Sequence, residues 1–187
     1  MMRGDFQIIT VSGLPGSGTS TLCRELGVRL QWNLMNAGDV FRQMAEQMGI
    51  SLQELGRLAE SDDDIDTELD KRMIIGAQES EGVIIEGRVT GWMASRHRLS
   101  AYRVWVDAPQ EVRASRVAER EGKDLGVANR EMIAREQSEA TRYEAVYQID
   151  LADFSIYHLV IDSGQHDPAA CANQIQAGIS SRSSDGP

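Results

Sequence analysis

Four groups of residues in this chain have the types and spacing to handle a polyphosphate. The stretch Gly13-Leu14-Pro15-Gly16-Ser17-Gly18-Thr19-Ser20-Thr21 follows the apolar run Phe6-Gln7-Ile8-Ile9-Thr10-Val11-Ser12 and leads into a helical pattern. Glycines there let backbone N–H groups turn inward, and the helix start adds the positive end of its dipole, so the stretch reads as a phosphate cradle. It departs from the G-x-x-x-x-G-K-[ST] pattern at one place, where Thr19 stands for the lysine. Ser20 holds the position whose hydroxyl meets Mg2+ in such loops. Gly38-Asp39-x-x-Arg42 puts an arginine one helical turn from an aspartate, either to face a phosphate from one side or to form a local pair at a helix start. Glu86-Gly87-Arg88 leaves an apolar run. A carboxylate there can hold the water shell of a magnesium ion, and the arginine can reach a phosphate; the plainer alternative is a salt bridge at a strand end. Arg116 and Arg120 lie four apart, and Arg135 and Arg142 seven apart, so each pair shares a helix face. Phosphoryl transfer spreads negative charge over several oxygens, and cations held in place are what that chemistry needs.

The rest of the chain supplies the elements that would position these groups. Leu22, Leu26 and Leu30 predict a helix from Thr19 to about Gln31. Asn33-Leu34-Met35 reads as a short strand, and a helix from about Val40 to Met48 ends at Gly49. Ser51-Leu52-Gln53-Glu54 is a capping box that opens another helix, and after Asp62-Asp63-Asp64 a further helix runs from about Ile65 to Ser80. Val83-Ile84-Ile85-Glu86, Arg103-Val104-Trp105-Val106-Asp107 and Tyr157-His158-Leu159-Val160-Ile161-Asp162 read as strands of the kind covered on both faces. Asp167-Pro168 begins the final helix. Strands alternating with helices predict an α/β fold, a parallel sheet between two helical layers. The expected organisation is one domain over residues 1–179, with helical inserts at about 39–80 and 121–140 placed to close over a ligand, and a disordered tail over 180–187.

Composition narrows the function further. A net charge of −10 argues against non-specific nucleic-acid binding. No run approaches the ~20 apolar residues that span a bilayer, and Arg3-Gly4-Asp5 leads directly into the first strand, so a cytoplasmic protein is expected, with no membrane partner. The cysteines, Cys23 and Cys171, read as small hydrophobes inside helices, without metal-ligand spacing. Lys71 and Lys123 are the only lysines, and nearly all positive charge is arginine. Arg113 and Arg130 read as surface residues.

Over about residues 6–165 the chain resembles the nucleoside monophosphate kinases, and more closely the short, archaeal-type cytidylate kinases. The resemblance is carried by Ile9-Thr10-Val11-Ser12-Gly13 and the loop after it, Ala37-Gly38-Asp39-Val40-Phe41-Arg42, Ile84-Ile85-Glu86-Gly87-Arg88, Arg116-Val117-Ala118-Glu119-Arg120-Glu121, Ser138-Glu139-Ala140-Thr141-Arg142-Tyr143, and Tyr147-Gln148-Ile149-Asp150 through Asp162. It implies a three-layer P-loop fold and transfer of a phosphoryl group from ATP to CMP or dCMP, with ATP and Mg2+ as cofactors and nucleotides as the partners. It places the donor on Gly13, Gly16, Ser17, Gly18, Thr19, Ser20 and Thr21, with Arg116 beside its base. Arg120, Arg135 and Arg142 become the catalytic cations. Arg42 and Arg88 fall to the acceptor phosphate, Asp39 to the acceptor site or to no more than a helix cap, and Ser20 and Glu86 to the metal, where such kinases more often have Asp than Glu. Asp66, Asp70 and Arg72 either read the pyrimidine or form a solvated face, and Trp92 either shapes the acceptor pocket or packs in the core. Thr19 leaves two alternatives open: other arginines supply the missing charge, or the chain binds nucleotide with weak or no turnover. A kinase of another nucleoside monophosphate or of a small metabolite is the remaining alternative. A monomer is expected.

Overall fold

A computed structural model describes residues 6–59 and 61–183. Five parallel strands form one sheet in the order β2-β3-β1-β4-β5. They are β1 (Ile8–Gly13), β2 (Asn33–Asn36), β3 (Val83–Glu86), β4 (Ala101–Asp107) and β5 (Leu159–Asp162). The helices are α1 (Thr19–Leu30), α2 (Ala37–Met48), α3 (Leu52–Ala59), α4 (Asp63–Gln78), α5 (Thr90–Arg96), α6 (Gln110–Glu121), α7 (Leu125–Tyr147) and α8 (Pro168–Ser183). All six residues of β1 and all four of β3 are buried. Successive strand residues point to opposite faces, and the core divides accordingly. Ile9, Val11 and Ile84 pack with Leu22, Leu26 and Ile175 under α1 and α8. Ile8, Val83 and Ile85 pack with Met73, Met93 and Tyr143 under α4, α5 and the end of α7.

Both predicted inserts carry apolar clusters of their own. Met44, Ala45, Leu55, Ala59 and Ile65 join α2, α3 and α4, and Ala114, Val117, Ala118, Ala128 and Met132 join α6 to α7. The 121–140 stretch is the turn of a helical hairpin and most of a single 23-residue helix. Its start is capped by Asp124, whose carboxylate accepts from the N–H groups of Gly126 and Val127.

Several boundaries differ from the expectation for physical reasons. Helix α2 begins at Ala37, because the Asn36 side chain accepts from Asp39 N and serves as the cap. The expected capping box at Ser51 and Glu54 forms reciprocally. Helix α5 was not distinguished in the sequence. Helix α8 continues through Ser183, past the expected start of the tail, with Ile179 buried and the Ser180 and Ser181 hydroxyls returned to backbone carbonyls. Residues 184–187 lie outside the described residues.

Candidate functional site

The central strand β1 delivers the glycine-rich loop to the carboxyl edge of the sheet, where ligands of open α/β folds bind. Gly16 and Gly18 have φ of 80° and 88°, a backbone shape that L side chains rarely adopt. A Cβ on Gly16 would also lie 2.5 Å from the Arg113 carbonyl oxygen. Gly18 is the N-cap of α1 and offers no side chain to its first turn, so the amides there remain available to an anion.

Glu86, at the end of β3, lies beside β1 on one side and Asn36 of β2 on the other. Its carboxylate accepts from Thr19 Oγ1 at 2.8 Å, Ser20 Oγ at 2.5 Å and Asn36 Nδ2 at 2.5 Å. Thr19 is therefore not an empty substitution for lysine: its hydroxyl ties the loop to the strand-end acid. Ser20 and Glu86 together present hard oxygen donors of the kind Mg2+ takes. Their direct contact brings the two predicted metal residues to one point beneath the loop.

A cleft of about 1260 Å³ opens in front of this point. Arg42, Arg57, Arg88, Arg120, Arg135 and Arg142 all line it, together with Gly13, Gly16, Thr19, Ser20 and Glu86. Arg88 donates from Nη1 to the Gly13 carbonyl at 2.8 Å and from Nε to Glu139 at 2.7 Å. The second oxygen of Glu139 accepts from Arg135 Nε at 2.7 Å. Burial pushes the Glu139 carboxyl up, but Arg88 and Arg135 more than offset that and hold it below its ordinary pKa. Arg142 faces Asp66 at 3.4 Å and lies 5.2 Å from the centre of the Tyr143 ring. Arg42 pairs with Asp39, and both remain largely exposed at the rim.

A second cavity of about 490 Å³ lies on the other side of the loop, lined by Gly16, Gly18, Thr21, Arg116, Arg120 and Ser163 among others. Arg116 is fixed there by Ser163, donating to its hydroxyl at 2.9 Å and its carbonyl at 2.8 Å. Ser17 is buried within the loop, and its carbonyl accepts from Ser163 Oγ at 2.6 Å.

Of the acid-rich stretch, Asp66 lines the cleft. Asp70 turns to Tyr147 and Arg96, and Arg72 pairs with Glu68 and Gln47, because their places on α4 point to other neighbours. Trp92 packs at the edge of the core. Arg113 is the clearest correction. It is 5% exposed, pairs with Glu136, and donates to the carbonyls of Ala108 at 3.1 Å and Pro15 at 3.2 Å. Cys23 and Cys171 are buried, and burial pushes both thiols up. Sequence reasoning missed Arg57 and Gln53, which α3 presents to the cleft. The signal was their position on an exposed helix face opposite Leu55.

Among solved structures, a gluconokinase from Sinorhizobium meliloti aligns with a TM-score of 0.63 at 14% identity, covering 98% of this chain and 97% of the other. A shikimate kinase from Acinetobacter baumannii aligns with a TM-score of 0.61 at 14% identity, covering 95% and 94%. The chain thus has the fold of the P-loop kinases. Curated relatives include cytidylate kinases of Methanococcoides burtonii, 44% identical over 92% of this chain and 96% of the relative, and of Methanocaldococcus jannaschii, 41% identical over 92% and 97%. Residues 8–165 match the cytidylate kinase-like family, and the chain belongs to it. Among the described residues no helix is long and apolar enough to cross a membrane.

Proposed function

We propose that the chain transfers the γ-phosphoryl group of ATP to CMP or dCMP, giving ADP and the diphosphate. The observation that carries this is the convergence of six arginines on one cleft that opens from the glycine-rich loop. The donor phosphates lie against the amides of the loop and of the first turn of α1, with Arg116 on the base side. The acceptor phosphate lies toward Arg42 and Arg88, and Arg120, Arg135 and Arg142 surround the group in transfer. The acceptor phosphate is already an anion, so the attack needs no general base, and the contribution of the protein is alignment and charge. Ser20 and Glu86 would hold Mg2+, which when bound neutralises charge on the donor phosphates.

Thr19 does not remove the positive charge that the chemistry requires, because the guanidinium groups that line the same cleft supply it. Asp66 is the acid placed to accept from the amino group of cytosine. An assay of ADP release with Mg2+ and ATP against CMP, dCMP, UMP, AMP and GMP tests the reading. Turnover confined to CMP and dCMP supports it. Binding of ATP with no turnover on any of the five would support the alternative that Thr19 raises, a nucleotide-binding protein without phosphotransfer.

A further inference from the structure

Helix α7 carries Arg135 and Arg142, so its placement decides whether these two cations stand over the cleft. Its apolar anchors sit toward its two ends. Ala128 and Met132 pack on α6, and Tyr143 packs under the sheet. No apolar side chain between Met132 and Tyr143 is buried. Something other than apolar contact must fix this middle stretch.

Glu136 and Glu139 lie three apart in that stretch, on one helix face. Each pairs with an arginine from a different element, and each of those arginines donates to a carbonyl of the phosphate loop. Glu136 pairs with Arg113 of α6, which donates to Pro15 O at 3.2 Å. Glu139 pairs with Arg88, after β3, which donates to Gly13 O at 2.8 Å. The four side chains are 6–18% exposed, well shielded from screening by solvent. The two carbonyls flank Leu14, so the helix grips the loop on both sides. Buried ion pairs are weak devices for stability and better ones for fixing a single arrangement.

We propose that Glu136 and Glu139 are positioning residues that dock α7 onto the phosphate loop through Arg113 and Arg88, and so hold Arg135 and Arg142 over the transferring group. Neither carboxylate touches the reacting atoms. The proposal rests on the phosphotransferase reading above. Turnover of CMP by the parent protein tests that reading, whereas the docking is read from variants measured against the parent and from amide exchange without nucleotide.

The experiment uses the full chain with Glu139→Gln, and with the paired replacement Arg113→Met/Glu136→Leu, which leaves no unpaired buried charge. With Mg2+, ATP and CMP, each should lower kcat at least ten-fold while the Kd for CMP does not rise, because Glu139→Gln removes negative charge from an anion-binding cleft and the paired replacement leaves the net charge unchanged. Amide exchange over residues 133–142 should quicken in both, relative to the rest of α7. A merely structural role would lower kcat and weaken CMP binding together, with exchange raised throughout the fold. The proposal is overturned if kcat in both variants stays within three-fold of the parent, if Kd rises in step with the loss of kcat, or if exchange over 133–142 is unchanged.

Discussion

Asp70 offers a stability measurement that the structure makes quantitative. It sits on α4 with Tyr147 of α7 beside it, Asp66 one turn earlier and Arg96 of α5 nearby. Burial raises its carboxyl from 3.8 to about 6; the Tyr147 hydroxyl and Arg96 pull it down and Asp66 pushes it up. A carboxyl whose folded pKa is raised binds its proton more tightly when folded. Its stabilising contribution is complete below the unfolded pKa and is lost as pH rises through about 6. The difference of about two pKa steps is worth about 3 kcal/mol above neutrality, about half of that near pH 5, and under about 1 kcal/mol at pH 4. Asp70→Asn keeps an oxygen to accept from Tyr147 and removes the charge. In thermal denaturation the variant should melt higher than the parent by about 6 °C at pH 7.5, and within a degree or two of it at pH 4. An equal gain at both pH values, or a loss at pH 7.5, would refute the assignment of burial as the dominant influence on this group.

Three further expectations follow from the cleft and its supports. Arg142→Ala should lower kcat by about 10²-fold or more, the loss of roughly 3 kcal/mol expected for a preorganised donor to the transition state, with little change in the Kd for CMP; near-parental kcat removes Arg142 from the mechanism. Gly16→Ala should abolish measurable ATP binding, because φ of 80° and the Arg113 carbonyl at 2.5 Å both exclude a Cβ; titration calorimetry showing parental affinity would overturn that account of the loop. Asp124→Ala removes the cap of α7 and should destabilise the protein by about 1 kcal/mol, seen in urea denaturation as a lower midpoint with an unchanged slope.

Much of this arrangement was legible in the sequence, because the relevant rules are local. Glycines before a helix and apolar runs ending in Glu86, Asp107 and Asp162 each leave a short-range pattern. The arginines seven apart on α7 belonged to the same class, and Arg135 and Arg142 do share the cleft. What stayed hidden depended on contacts far apart in the chain. Arg113 looked like a surface residue because nothing nearby in sequence announces Pro15 or Glu136 as partners; the carbonyl it meets is 98 positions away. Asp70 and Arg72 have the right chemistry for reading a base, yet Asp70, one full turn further along α4 than Asp66, meets Tyr147, and Arg72, on another side of the helix, meets Glu68. Asn36 lay just past the expected strand Asn33-Leu34-Met35; it ends β2 and caps α2, which begins directly after it.

The replacement of lysine by Thr19 has a consequence for titration. Every basic side chain lining the cleft is a guanidinium, and arginine stays charged at any pH a protein survives. A loop built on lysine carries an ammonium group that loses its proton in alkali, near its ordinary pKa of about 10.4. This cleft has no such group, so its pull on phosphate should persist unchanged well into the alkaline range. On the acid side, the variable component is the substrate itself, whose phosphate takes up its second proton at about pH 6. The pH profile of the enzyme would then record the protonation of its acceptor rather than that of its own cations, even past the alkaline pH at which a lysine would lose its charge.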